Sequence, residues 1–229
     1  MKNILLFVLA MSSIPLLAIP IVKNGETIAF VGDSITQFGD RPDGYVQLVM
    51  DGLKRVGIHA KYIPAGVGGD RSNSILTRID RILMQKPDIV ILKCGTNDVG
   101  WGAKGCTLEE YKDNMGKIID KCNKAGARIV LVTPSMHTEH APSENNKSLI
   151  GYCDFLRNEA AKRKIPLADW NRRMHEQLEK GCNYGEPGLL LTIDHLHLNG
   201  YGNRYLAQTV LETLGIPAET VKSWEKDWD

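Results

Sequence analysis

The chain is expected to be an α/β protein, a parallel sheet covered on both faces by helices, and three observations carry that expectation. Short β-rich runs recur along the sequence, longer segments with apolar residues at three-to-four spacing fall between them, and the chemistry-bearing motifs follow the runs at their carboxyl ends. Taken in order, Thr27 to Val31 reads as the first strand and Tyr45 to Val56 as an amphipathic helix. His59 to Pro64 reads as the second strand, followed by a helix from Ser74 to Gln85. Its inward stripe is Ile75, Ile79, Ile82 and Leu83, with Arg78, Arg81 and Gln85 on the wet side. Asp88 to Cys94, Arg128 to Thr133 and Ile165 to Asp169 complete the strands, with helices over Leu108 to Ala125 and Ser148 to Lys164 between them. Gly181 to Ile193 reads as a long loop. A last helix near Tyr201 to Leu214 has Asn199 as its N-cap and ends at Gly215.

With 229 residues, 43% of them hydrophobic and 24% charged, the chain is sized for one domain with a substantial core. Ile4 to Val22 carries no charge and follows Lys2, the order of a secretory signal. Ser12, Ser13, Pro15 and Pro20 interrupt the stretch, and Ala18 offers a small residue for cleavage. The expectation is a signal peptide over residues 1–18, a single domain over 19–229, and a secreted or periplasmic protein without stable membrane association; an uncleaved anchor is the alternative. The formal net charge is +1, and removal of the signal takes away only Lys2. A near-neutral chain without basic runs argues against a nucleic-acid partner. The five cysteines, Cys94, Cys106, Cys122, Cys153 and Cys182, show no Cys-x-x-Cys spacing. For an exported protein one or two disulfides are plausible, and Cys94 reads as a small core residue rather than a nucleophile.

Two motifs at opposite ends supply a nucleophile, a base and its orienter. Gly32-Asp33-Ser34-Ile35-Thr36 follows the first strand, and Asp194-His195-Leu196-His197 precedes the last helix. A serine hydroxyl attacks a carbonyl only if an imidazole takes its proton during bond formation. His197 is the candidate base, and Asp194, three positions earlier, can hold the tautomer whose free nitrogen faces Ser34. The developing oxyanion needs converging donors. The N–H of Ser34, the N–H of Gly69 in Gly66-Val67-Gly68-Gly69-Asp70, and the side-chain amide of Asn97 in Gly95-Thr96-Asn97-Asp98 are available. In a parallel sheet, ligands bind outside the carboxyl ends of the strands, where all these segments fall.

These four stretches, in this order, resemble the SGNH hydrolases, also called the GDSL esterase and lipase family. The resemblance spans roughly Glu26 to Gly215 and implies a three-layer α/β/α flavodoxin-like fold with a five-stranded parallel sheet. It places the family's nucleophile on Ser34, its oxyanion donors on Ser34, Gly69 and Asn97, and its Asp-x-x-His pair on Asp194 and His197. The chain departs from the family at Pro64, where an asparagine often precedes the glycine block, and at Leu198, where a proline often follows the histidine. Neither change removes a catalytic atom.

Other readings of these residues are weaker. Asp33, Asp70 and Asp98 are expected to bond local backbone rather than enter the chemistry. Asp194, His195 and His197 could belong to a metal site, with His137, Glu139 or His140 completing it, but nothing in their spacing demands one. The expectation is no metal and no cofactor. The glycine cluster lacks the third glycine of a dinucleotide fingerprint. Trp101, in the glycine-rich Gly95 to Gly105 loop, could give a sugar ring or acyl chain a flat wall, or could simply cover the core.

The expected activity is hydrolysis of small acyl esters, chiefly O-acetyl groups on carbohydrates, through an acyl-enzyme, with a small-molecule or glycan ester as the partner. Export and the absence of room for a lid favour small polar esters over bulk lipid. The alternatives are a lysophospholipase or thioesterase acting on longer chains, and a catalytically silent glycan-binding module using Trp101 as a stacking platform.

Overall fold

The strands β1 (Thr27–Gly32), β2 (Lys61–Gly66), β3 (Ile89–Lys93), β4 (Arg128–Val132) and β5 (Leu167–Ala168) form one all-parallel sheet in the order β2-β1-β3-β4-β5. They are seen in a computed structural model that describes residues 21–139, 143–181, 189–224 and 227–228. The expected signal over residues 1–18, together with His140 and Cys182, lies outside the described residues.

Parallel strands need crossovers, and the helices supply them. They are α1 (Ser34–Gly39), α2 (Tyr45–Arg55), α3 (Ser72–Leu83), α4 (Thr96–Gly100), α5 (Leu108–Lys124), α6 (Glu144–Arg163), α7 (Trp170–Gly181), α8 (Gly200–Thr213) and α9 (Ala218–Lys222). Successive strand residues point to opposite faces, so β1 divides its side chains between two cores. Ile28 and Phe30 join Val46, Val49, Met174, Leu206 and Val210 on one side, from α2, α7 and α8. Ala29 and Val31 join Ile75, Ile79, Tyr111, Met115, Leu149 and Leu156 on the other, from α3, α5 and α6. The expected three layers with a five-stranded parallel sheet are therefore present.

Boundaries differ from the sequence expectation where pairing or capping decides them. β2 begins and ends two residues later than expected, because its register with β1 runs on through Val31↔Ala65 and Gly32↔Gly66. Pro64, which has no N–H to donate, is tolerated there because β2 is an edge strand. α3 starts at Ser72 rather than Ser74, and α6 at Glu144 rather than Ser148, where the Ser143 side chain accepts from the Asn146 N–H. At the other edge β5 keeps only two residues. Asn199 caps α8 as expected, and Gly215 follows that helix with positive φ.

Two expectations are corrected. Arg78 is only partly exposed: its guanidinium turns inward to bond Asp70 and the carbonyls of Gly32 and Ala65, tying together the ends of β1 and β2. Cys94, Cys106, Cys122 and Cys153 are free and buried, so no disulfide joins the described cysteines. Burial raises the pKa of all four thiols, to about 12 for Cys122 and Cys153. Among the described residues no helix is long and apolar enough to cross a membrane.

Candidate active site

Ser34 opens α1 at the carboxyl end of β1, a strand paired on both sides. Asp33 caps this helix through its bond to the Ile35 N–H at 3.0 Å, which is the structural role expected of it. Its other carboxylate oxygen lies 3.4 Å from Nζ of Lys93, a lysine with no exposed surface at the end of β3. The turn is also braced by a 2.9 Å contact between the Thr36 and Tyr45 hydroxyls. The serine is thus held by the sheet rather than by a loose loop.

The glycine segment curls over the end of β2. Val67 N–H donates to Gly32 O and Gly68 N–H to the Gln37 side chain, while no hydrogen bond among the described residues engages the N–H of Gly69 or Ser34. Gly69 has φ +79°, a conformation that other residues adopt only with strain, and a Cβ there would stand 3.2 Å from the Trp101 ring. Asn97 comes from α4, in the loop the sequence marks as glycine-rich. Its Nδ2 donates to Asp70 O at 3.0 Å, which fixes the amide orientation beside Gly69 and leaves a second N–H for another acceptor. Asp98 and Asp70 are tied to other side chains and to distant backbone rather than to the local backbone expected of them. Asp98 accepts from the Ser72 N–H and hydroxyl, and burial pushes its carboxyl up against these bonds; Asp70 pairs with Arg78.

Asp194 and His197 sit on a short hairpin closed by Ile193 N–H to His197 O at 2.8 Å and by an antiparallel bridge between Thr192 and Leu198. His195 forms its bend with φ 73° and contacts Thr138 rather than the serine. Asp194 accepts from the backbone N–H groups of Leu196 and His197, and its Oδ2 lies 2.6 Å from His197 Nδ1. Burial disfavours its charged form, but the bonds from the His197 ring and these N–H groups outweigh that and hold its carboxyl below the ordinary range. An ionised carboxylate only accepts, so Nδ1 carries the hydrogen and Nε2 is left bare. His197 Nε2 stands 3.0 Å from Ser34 Oγ, across 163 residues of chain. Ser34, His197 and Asp194 are therefore joined in one hydrogen-bonded line. Phe38 packs against the imidazole with ring centroids 5.1 Å apart, and the Arg41 guanidinium lies 4.2 Å from the Phe38 centroid.

Of the residues that could have completed a metal site, Glu139 and His137 are engaged elsewhere, while His140 lies outside the described residues. Glu139 bonds Leu190, Leu191 and Thr192, and His137 lies against Gly100 and contacts Asn145. No cluster of metal-ligating side chains occurs among the described residues. Trp101 is 48% exposed beside Gly69, with the Arg71 guanidinium 5.1 Å from its ring, and so stands at the rim of the site rather than over the core. Sequence reasoning missed Lys93 and Phe38 as neighbours of the site. A lysine closing the otherwise apolar run Ile89 to Lys93 was the available signal.

A profile of the GDSL-like Lipase/Acylhydrolase family matches residues 30–205. The chain belongs to this family. It is a carboxylic ester hydrolase by that membership. Among its relatives is an acetylxylan esterase of Geobacillus stearothermophilus, 24% identical over 217 residues, covering 85% of this chain and 96% of the relative. Another is an isoamyl acetate-hydrolyzing esterase of Schizosaccharomyces pombe, 25% identical over 198 residues, covering 84% and 76% respectively. The crystal structure of the acetyl xylan esterase AlAXEase superposes with a TM-score of 0.76 at 29% identity, over 81% of this chain and 98% of that one. The Geobacillus stearothermophilus acetylxylan esterase has also been solved as catalytic mutants with a serine, an aspartate or a histidine replaced by alanine. Its aspartate and histidine are three positions apart.

Proposed function

We propose that the protein is an exported serine esterase that removes O-acetyl groups from carbohydrates, with Ser34 as nucleophile, His197 as base and Asp194 as its orienter. The observation that carries this reading is the continuous line from the Asp194 carboxylate through His197 Nδ1 and Nε2 to Ser34 Oγ, at 2.6 and 3.0 Å. As Ser34 Oγ bonds to the ester carbon, its proton passes to His197 Nε2. The N–H groups of Ser34 and Gly69 and the Asn97 amide receive the negative oxygen. Collapse expels the sugar alkoxide, which takes the proton back from His197 and leaves acetyl-Ser34. Water then attacks the acetyl carbon and gives one proton to His197; a second collapse returns that proton to Ser34 and releases acetic acid, which gives its remaining proton to solvent as acetate.

Support for an acetylated glycan comes from the acetylxylan esterases among the relatives and from the exposed Trp101 face beside Gly69, a flat apolar surface of the kind that stacks on a sugar ring. The solved catalytic mutants of the Geobacillus stearothermophilus esterase replace the same three residue types, with the same aspartate-to-histidine spacing. In another solved mutant of that esterase the tryptophan immediately before the aspartate becomes isoleucine. Here the residue immediately before Asp194 is Ile193, which is exposed, and the exposed aromatic face beside the site is that of Trp101. Export is supported by the charge-free stretch from Ile4 to Val22 behind Lys2.

The test is acetate release from acetylated xylo-oligosaccharides, alongside aryl acetate, butyrate and octanoate. Turnover should be highest on acetyl esters and should disappear in Ser34→Ala, which should also lose covalent labelling by a fluorophosphonate. An octanoate optimum would favour the longer-chain reading, and an unlabelled wild-type serine would favour a silent binding module.

A further inference from the structure

Glu139 is a buried carboxylate in the loop between β4 and α6, 5% exposed, yet it faces backbone rather than a cation. Its Oε2 accepts from the Leu190 N–H at 2.7 Å, and its Oε1 accepts from the Leu191 N–H at 2.9 Å and the Thr192 hydroxyl at 2.5 Å. These three consecutive residues form the arm of the hairpin that leads directly into Asp194. The opposite arm is tied to this one by Ile193 N–H to His197 O and Asn199 N–H to Leu191 O. We propose that Glu139 is a positioning residue for catalysis: by clamping residues 190–192 it sets the height of the Asp194–His197 hairpin above Ser34. The proposal rests on the reading of Asp194 and His197 as the working pair.

The chemistry of the clamp suits a carboxylate and nothing close to it. Three donors converge on one side chain, and an ionised carboxylate offers only acceptors, whereas an amide would turn an N–H toward one of them. Those three bonds offset the cost of burying the charge. The lever is short: Thr192 lies two residues from Asp194, so at about 3.3 Å per extended residue a slip at the clamp passes almost undiminished to the imidazole. The other end of the clamp is anchored as well. Asn146, in the first turn of α6, accepts from His137 N–H at 2.7 Å and donates to Thr138 O at 2.8 Å, which fixes the loop that carries Glu139. The same loop meets the hairpin bend through Thr138 Oγ1 and His195 Nδ1 at 3.3 Å. Helix α6 thereby reaches the catalytic histidine through Asn146, the loop and Glu139.

The experiment compares Glu139→Gln with the wild type on an aryl acetate, measuring kcat, KM and thermal unfolding, and repeats the substitution in a His197→Ala background. A misplaced base slows proton transfer without weakening substrate binding. The folded Glu139→Gln enzyme should therefore lose on the order of ten- to a hundredfold in kcat with KM changed by less than about threefold. In the His197→Ala background the residual turnover should not fall further, since there is no imidazole left to place. Wild-type kcat in folded Glu139→Gln, or an equal loss in both backgrounds, would overturn the proposal. Should Glu139→Gln not fold, Thr192→Val removes a single bond of the clamp at nearly constant volume. It should lower kcat severalfold, and an unchanged kcat would overturn the proposal equally. Ser34→Ala assayed in parallel separates the two levels: normal turnover there sinks the esterase reading itself, whereas an inert Ser34→Ala with a fully active Glu139→Gln sinks only the clamp.

Discussion

The two halves of the candidate active site are built in opposite ways. Ser34 opens the helix that directly follows an interior strand, next to a buried Asp33–Lys93 pair and a buried Thr36–Tyr45 contact, so its position is part of the same packing that holds the sheet together. Asp194 and His197 stand on a hairpin that joins no strand of the sheet. Ile193, Asp194 and His195 are exposed, and the hairpin is held by Glu139, Asn199 and Asn203. Ser34 therefore inherits its geometry from global stability, while His197 depends on a few polar contacts. Substitutions on the two sides should separate accordingly, into losses of fold and losses of rate.

The sharpest way to draw this contrast is Asp194→Asn. The amide can no longer enforce the tautomer that leaves Nε2 bare, so turnover should fall on the order of 10³- to 10⁴-fold. The side chain is half exposed, so melting should barely move; a melting shift as large as that of a core substitution would break the comparison. Lys93→Met should do the reverse. It leaves the Asp33 carboxylate buried with only its backbone bond, at a cost of about 3 kcal/mol in denaturant unfolding, with turnover per folded molecule within about tenfold of wild type. A stable but inactive Lys93→Met would show that the lysine belongs to the chemistry. Asn203 joins the two regions, since it accepts from the Tyr45 N–H and donates to the carbonyls of Leu198 and Asn199. Asn203→Ala should produce the smallest effects on both axes, about 1 kcal/mol of stability and a severalfold loss of kcat.

The pH profile tests the same division. The hydrogen bonds on Asp194 hold its carboxyl below the ordinary carboxylate range, so the charge that orients His197 survives further into acid than that of a free carboxylate would. Because the folded pKa of Asp194 is depressed, its contribution to stability is present above the ordinary carboxylate range. It is lost only as pH falls through the lower folded value. A base acts only when free of its proton, so a rate that rises toward low pH would contradict the role given to His197.

Much of this was legible in the sequence, for reasons that differ by residue. That Ser34, Asp194 and His197 would meet, with Gly69 and Asn97 close by, could be expected because the proposed chemistry demands particular residue types, and those types are concentrated in short motifs. The strands β1, β3 and β4 could be read because burial on both faces leaves an apolar run. Helix α7 was not read: Trp170, Met174 and Leu178 keep a buried four-residue spacing, but charged and polar residues surround them and mask the pattern. Arg78 looked like a solvent-facing arginine because its acceptors include the carbonyls of Gly32 and Ala65, and carbonyls carry no sequence signature. Glu139 was hidden for the same reason, with partners 51 to 53 residues away and two of its three donors backbone amides. The cysteines show the complementary difficulty. Composition and expected export suggested cross-links, while pairing depends on distances in space that spacing along the chain does not contain.

The separation of 163 residues between Ser34 and His197 has a consequence for how the protein is made. A ribosome delivers the hydroxyl long before the imidazole, so a polypeptide that stops short of His197 carries a serine no more reactive than any other. On the proposed mechanism hydrolytic power arrives only when the hairpin that follows β5 has come down beside Ser34, which makes the appearance of activity a clock for that late docking step.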